Sequence, residues 1–209
     1  MRKLTSLLVF VGLTISVSGQ EEPENLKQVF KADWLVGTWE TKNDEGQVSS
    51  HTFSWKIEDI LMVKEYMVND ELQSFAVISL DVNEDKVISH SYGNRRTSIG
   101  EMKVNGDKLI RTVNWKRKKL SKEEAASRVE SSIANQLATG EVQEEGVPEL
   151  KKNLWDYYNN TRKTSGTNKY TYEKQGEDKM VATSARKDES GQFVAISGFA
   201  PRTYTRKKE

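Results

Sequence analysis

The sequence predicts a mainly β protein: an antiparallel up-and-down barrel of about ten strands, interrupted by one inserted pair of helices. Three observations support this fold class. Short strand-forming segments recur along the chain and are separated by polar turns rich in Gly, Asn and Asp. The repeated helical crossovers that a parallel sheet requires do not occur between them. A meander of this length can remove its exposed edges by closing on itself.

Residues 1–19 have the pattern of a cleavable secretory signal. Met1, Arg2 and Lys3 form a positive start, and residues 4–17 are mostly apolar and uncharged. Small residues at 17–19 then provide a cleavage site before Gln20. We therefore predict a secreted or periplasmic protein. The rival interpretation is an uncleaved N-terminal anchor.

The remaining chain predicts a short tether at residues 20–25 and a single barrel domain at 26–209. Removing Arg2 and Lys3 leaves a charge close to zero, which gives no electrostatic reason to bind nucleic acid. The chain contains no cysteine, so disulfides, thiol catalysis and thiolate metal sites are excluded. No later segment is apolar for long enough to cross a bilayer, so we predict no transmembrane segment in the mature chain.

Seven strands are predicted before the interruption. The turn Asn105-Gly106-Asp107 is a strong hairpin signal before the seventh. In the second strand, period-two alternation places His51, Phe53, Trp55 and Ile57 on one face. The seven predicted strands are 35–41, 48–57, 60–68, 72–82, 86–92, 95–104 and 108–116.

Residues 117–166 break the strand pattern and predict two helices. Ser121 and Glu124 have capping-box spacing, and apolar residues follow at helical intervals up to Leu137. Pro148 marks the start of the second helix. We hypothesise that residues 121–160 form a lid over the barrel, while the alternative is packing against its outside. Three last strands are predicted at 169–175, 179–186 and 192–205.

The motif Trp34-Leu35-x-Gly37-x-Trp39 resembles the start of the lipocalin-like, or calycin, barrels, and is most similar to small exported bacterial domains of unassigned function. The resemblance covers residues 26–116 and 167–206. It implies that Trp39 packs across the closed end of the barrel beneath a basic side chain, here Arg202 or Arg206. The late helical insertion departs from the fatty-acid-binding branch, which carries its helices between the first two strands.

A pocket inside such a barrel would be lined by aromatic side chains with a few polar groups that orient a ligand. The predicted strand registers put Arg111 on the face of Trp115, and His90 on the face of Ile88 and Tyr92. The alternative is that the aromatic residues fill the barrel completely. The candidate ligand-binding residues are His51, Trp55, Tyr66, His90, Tyr92, Arg111 and Trp115.

No catalytic residue, metal site or cofactor is predicted. The sequence contains no Gly-x-Ser-x-Gly elbow, His-Glu-x-x-His motif or phosphate loop. Two histidines cannot supply three nitrogen ligands to zinc. The late histidine with which nitrobindin-like barrels hold haem iron is also missing.

The predicted function is an exported binding protein for a small apolar or amphipathic molecule held inside the barrel. One alternative is a non-binding interaction domain with a filled barrel. Another is a cofactor-free enzyme that uses a His/Tyr acid–base pair in the cavity, for which His90→Ala is the test.

Overall fold

A computed structural model describes residues 25–94, 96–196 and 199–208. The predicted signal and nearly all of the predicted tether lie outside these residues. The described chain forms a closed antiparallel barrel, which confirms the predicted fold class. Ten strands form the hydrogen-bonded ring, while β10 pairs with β9 alone. The strands are β1 Gly37–Lys42, β2 Val48–Ile57, β3 Leu61–Val68, β4 Glu71–Asp81, β5 Lys86–Gly93, β6 Arg96–Asn105, β7 Lys108–Arg117, β8 Ser165–Lys174, β9 Lys179–Lys187, β10 Phe193–Ala195 and β11 Arg202–Arg206.

A short helix closes one end of the barrel. This helix, α1, spans Leu26–Phe30 and begins with a capping box formed by Asn25 and Gln28. Two of its three apolar residues, Leu26 and Phe30, are buried in the same core as Leu35 and Trp39, and the third, Val29, packs against that core. The helix lies against β4 and β5. The segment that precedes the first strand, residues 25–36, therefore closes this end of the barrel.

The interior near α1 is apolar and closely packed. Strand alternation turns one side chain in two toward the barrel axis. Large apolar residues occupy these inward positions and bury nearly all of their surface. Around this end of the barrel they are Trp39, Phe53, Met62, Ile78, Val87, Met102, Leu109 and Met180.

Two details of the predicted strands are corrected by the structure. The predicted strand 192–205 is two strands, because the pairing with β9 jumps from Ala195↔Ala185 to Arg202↔Ala182. Pro201 lies immediately before β11 and cannot donate a backbone hydrogen bond to a ladder. The described residues between the two strands, 196 and 199–201, belong to no strand.

The second correction concerns the end of β2. Ile57 was predicted to share one face of the strand with His51, but the His51 side chain is buried and that of Ile57 is exposed. The pairing with β3 shifts between Trp55 and Ile57, so the alternation of faces is interrupted there.

The insertion contains the two predicted helices, α2 at Lys122–Ala138 and α3 at Val147–Asp156. The capping box of Ser121 and Glu124 is present. The helices pack against each other, and the Tyr158 hydroxyl in the following π-helical turn lies 3.3 Å from Ser132 Oγ. Among the described helices, none is both long and apolar enough to span a bilayer.

Candidate functional site

A cavity of about 430 Å³ occupies the end of the barrel opposite α1. Its lining includes buried side chains that point inward from β2, β3, β7, β8 and β11, together with Phe199 and Ala200 from the chain between β10 and β11. Phe199 is 57% exposed, so the cavity reaches the solvent at this end. Its polar and charged lining residues include His51, Lys64, Tyr66, Arg96, Arg111, Tyr170, Tyr172, Arg202 and Tyr204.

The strands themselves explain where the polar lining begins. In β3 the inward residues are Met62, Lys64 and Tyr66, so the interior changes from apolar to polar between Met62 and Lys64. In β7 the same step leads from Leu109 to Arg111. The apolar floor and the polar cavity are thus adjacent layers of one interior.

Lys64 is one of the two buried cations of the cavity, with 8% of its surface exposed. Its Nζ donates a hydrogen bond of 2.6 Å to the hydroxyl oxygen of Tyr172. The same atom lies 4.8 Å from the centre of the Tyr172 ring and 5.6 Å from that of Phe53. Burial, reinforced by the charge of Arg111, lowers the pKa of Lys64 to about 7. The amine is therefore close to half neutral at neutral pH.

Arg111 is the second buried cation, with 7% of its surface exposed. Its Nε donates to Ser89 Oγ at 2.8 Å, and its Nη2 donates to Ser91 Oγ. Burial lowers the pKa of this guanidinium, but an arginine stays charged over the accessible pH range. Its partners are neutral hydroxyls, and no carboxylate lines the cavity among the described residues. The charge of Arg111 is therefore uncompensated by the protein there.

His51 is stacked between two tyrosines. Its ring centre lies 4.9 Å from that of Tyr66 and 5.0 Å from that of Tyr204. Burial, followed by the charges of Lys64 and Arg111, holds the pKa of His51 well below its usual range. The imidazole is neutral, and its Nδ1 has no hydrogen-bond partner within the described chain. It is thus a buried polar atom without a hydrogen bond, on a residue that lines the cavity.

Two tyrosines of the cavity also keep their protons at neutral pH. Burial raises the pKa values of Tyr172 and Tyr204 to about 12. For Tyr170, burial would raise the pKa, but the charge of Arg96 and the hydrogen bond from Asn168 contribute to a net lowering. Phenol groups at these positions can donate or accept a hydrogen bond without adding charge.

Three of the seven predicted ligand-binding residues line this cavity: His51, Tyr66 and Arg111. Trp55 also belongs to the barrel interior, but it packs against the apolar core and is not part of the cavity lining. Trp115 points inward as predicted, where its Nε1 donates to Asn168 and the guanidinium groups of Arg96 and Arg117 cover its faces.

His90 and Tyr92 lie on the outside of the barrel. The inward residues of β5 are Val87, Ser89 and Ser91, so the face that His90 shares with Ile88 and Tyr92 is the outer one. Both residues line an outer groove that also includes Ile99. The imidazole in the cavity belongs to His51, so an acid–base test at His90 would not address it.

Sequence reasoning missed Lys64, Tyr170, Tyr172 and Tyr204. Lys64 had a detectable signal, because it alternates with Met62 and Tyr66 on one face of β3. The tyrosines of β8 alternate in the same way, at positions 170 and 172. A lysine on the inward face of a strand is unusual and would have indicated a polar interior.

The closed end contains the predicted pairing of Trp39 with a basic side chain. The guanidinium carbon of Arg206 lies 4.3 Å from the ring centre of Trp39. Arg206 also donates hydrogen bonds to the carbonyl oxygens of Trp34 and Val36. The Trp39 Nε1 donates to the carbonyl oxygen of Leu35 at 2.8 Å. These contacts join β11 to residues 34–36, which precede β1.

The insertion does not contribute to the described lining of the cavity. A separate depression of about 650 Å³ lies along α2 and includes Tyr158. Among the described residues, no group of three or more His, Cys, Asp or Glu side chains is placed to hold a metal ion.

Comparison with known proteins leaves the family untested. No family model and no curated protein matches the chain. Among solved structures, the crystal structure of Rv2717c from M. tuberculosis is similar over 85% of this chain and 96% of that one, with a TM-score of 0.39 and 9% sequence identity. A likeness of this degree carries no information about function. The lipocalin-like resemblance therefore stays a prediction.

Proposed function

We propose that this chain is an exported binding protein for a small amphipathic molecule, which it holds inside the barrel with an anionic head group against Arg111. The observation that carries the proposal is the cavity of about 430 Å³ whose lining contains two buried cations and no carboxylate among the described residues. A cavity of this size is typical of small-molecule sites.

The charge distribution favours an anionic head group. A buried cation without a counter-charge is costly, and a bound anion would relieve that cost for Arg111. The carboxylate, sulfate or phosphate of a ligand can accept bonds from the guanidinium, which hydroxyl partners leave partly free. The His51 and Tyr172 side chains line the same cavity and add polar character to it.

The shape of the interior supports a head-first orientation. The floor beneath Arg111 is filled by apolar side chains such as Met62 and Leu109, so a ligand cannot go deeper. Toward the solvent, the lining includes the exposed residues Phe199 and Ala200. An apolar tail extending in this direction would contribute roughly 0.8 kcal/mol for each methylene group that it buries.

Calorimetric titration with octanoate, octanol and octylamine tests the proposal, because the three probes share one tail and differ in the head. We expect octanoate to bind about tenfold more tightly than octanol, and octylamine to bind most weakly. Equal affinity for the acid and the alcohol would contradict the anionic head group. Failure of all three to bind would contradict the binding function and favour an interaction domain.

Export is tested separately, by the intact mass of the protein recovered from cells that express the whole chain. We expect the mature protein to begin at Gln20, as the signal at residues 1–19 predicts. A mass that retains the signal would contradict cleavage and favour an N-terminal anchor.

A further inference from the structure

The cavity contains a primary amine in an unusual setting. Lys64 is buried, yet it lines a cavity that reaches the solvent beside Phe199 and Arg202. Most lysines of the described chain lie on the outside of the barrel, and several of them pair with carboxylates, as Lys103 does with Glu101. No such carboxylate faces Lys64 within the described chain. A small molecule that enters the barrel would therefore meet an amine without a salt bridge.

We propose that Lys64 is a covalent binding site for carbonyl compounds, in which its amine condenses with an aldehyde or ketone to form an imine. The imine site lies in the cavity of the proposed function but does not require an anionic head group. A ligand that reacts there carries a carbonyl group close to its polar end.

The reaction balances without any further reactant. The nitrogen lone pair of Lys64 forms a bond to the carbonyl carbon, and the electron pair of the carbonyl moves to oxygen. Proton transfer from nitrogen to oxygen gives a carbinolamine, which loses water to form the carbon–nitrogen double bond. The products are one imine and one water, and no oxidation or reduction takes place.

The neighbours of Lys64 fit this chemistry. The Tyr172 hydroxyl, 2.6 Å from Nζ, is placed to exchange a proton with the carbinolamine oxygen as water leaves. Because burial raises the pKa of this phenol, it keeps its proton throughout the neutral range. Arg111 disfavours a second positive charge nearby and so favours the neutral amine.

The groups that face the Lys64 amine come from several strands of the barrel. Burial is the main reason that the pKa of Lys64 falls to about 7, Arg111 lowers it further, and Tyr170 partly opposes the shift. No carboxylic acid faces the amine among the described lining residues. The titratable and charged groups that line the cavity around Lys64 are His51 from β2, Tyr66 from β3, Arg96 from β6, Arg111 from β7, Tyr170 and Tyr172 from β8, and Arg202 and Tyr204 from β11.

Reductive trapping tests the proposal on the whole mature protein. The protein is incubated with limiting octanal near neutral pH and reduced with cyanoborohydride, which converts an imine into a stable secondary amine. Peptide mapping by mass spectrometry then locates the octyl group. We expect modification of Lys64 to exceed the mean of the other lysines by at least about tenfold, because an exposed lysine is almost fully protonated at this pH.

Two variants and one competitor sharpen the experiment. Lys64→Met should lose the preferred site, whereas the control Lys103→Met, at an exposed lysine on the outside of β6, should keep it. Circular dichroism establishes that both variants fold. Excess octanol, which has the same tail but no carbonyl, should reduce the labelling of Lys64 and leave the other lysines unchanged.

Labelling of Lys64 no greater than that of exposed lysines would overturn the proposal, whether or not octanoate binds. Octanoate binding together with such uniform labelling would leave the proposed function intact. Preferential labelling of Lys64 without octanoate binding would support the imine site and contradict the anionic head group.

Discussion

The two halves of the barrel interior are built from the same strands but have opposite chemistry. Near α1, inward positions hold Trp39, Met62 and Leu109, and the space is filled. Toward the open end, the next inward positions of β3 and β7 hold Lys64 and Arg111, and a cavity remains. The apolar half of the interior therefore stabilises the fold, while the buried charges of the other half lower the stability of the protein. Such a division is typical of proteins that give up stability at a functional site.

The largest expected effect concerns the filled half. Trp39→Ala removes a fully buried indole, its hydrogen bond to Leu35 and its contact with Arg206. We expect the free energy of unfolding, measured by urea denaturation, to fall by about 3–5 kcal/mol. The matched control is Trp155→Ala on α3, where the indole is 41% exposed and the loss should be about 1 kcal/mol or less. Equal losses in the two variants would contradict the role of Trp39 at the closed end.

The next effect concerns the charged half and depends on pH. The pKa of Lys64 is about 7 in the folded protein and is near its usual value of about 10.4 in the unfolded chain. Between these values the unfolded chain binds more protons, so this group makes stability rise with pH. The destabilisation is fully present below about pH 7 and fades as the pH approaches 10.

Lys64→Met removes this titration. Relative to wild type, we expect the variant to be more stable at about pH 6 than at about pH 9, with a difference of about 2–3 kcal/mol in the free energy of unfolding. Lys103→Met, at an exposed lysine, should show no comparable dependence. A stability difference between wild type and Lys64→Met that does not vary with pH would show that Lys64 keeps an ordinary pKa.

A smaller effect is expected on ligand affinity. Arg111→Met removes the fixed positive charge at the base of the cavity and leaves the Ser89 and Ser91 hydroxyls without their donor. We expect octanoate affinity to fall about tenfold, or about 1.4 kcal/mol, while octanol affinity changes little. Arg128→Met on α2 serves as the control, because Arg128 lines the separate depression of the insertion. A parallel loss for the acid and the alcohol would indicate damage to the cavity rather than loss of a head-group contact.

The smallest effect is expected at the mouth. Phe199 lines the cavity but is more than half exposed, so Phe199→Ala removes limited contact with a ligand tail. We expect a two- to fivefold loss of octanoate affinity, or about 0.5–1 kcal/mol. The exposed Phe193 on β10 provides a control, and Phe193→Ala should bind octanoate normally. Equal loss in both variants would argue against a tail that leaves by this route.

The barrel was predictable because its signals are local. Alternation in β2 placed His51 and Phe53 on one face, and alternation in β7 did the same for Arg111 and Trp115; all four side chains are buried in the structure. The break after β10 was not predicted, since residues 192–205 have strand-forming composition on both sides and the register jump depends on pairing with β9. The local signal of the break was Pro201, which cannot donate a hydrogen bond to a ladder, but it does not give the size of the register jump.

The cavity was only partly predictable, because alternation groups residues by face without stating which face points inward. In β5 the pattern joined His90 and Tyr92 correctly, but the closed barrel turns Ser89 and Ser91 inward to meet Arg111. Because His90 and Tyr92 are aromatic, their face was predicted to line the pocket, although it is the outer face of the barrel. At these inward positions the serine hydroxyls accept hydrogen bonds from the buried guanidinium.

The most direct test of the charged half is the pKa of a carboxylate bound inside it. Octanoate labelled at the carboxyl carbon can be titrated by carbon NMR, free and bound to the protein. If the head group lies against Arg111, the bound carboxylate will stay ionised to a lower pH than free octanoate. A bound carboxylate whose pKa is raised above that of free octanoate would place the head in an apolar setting and contradict the account.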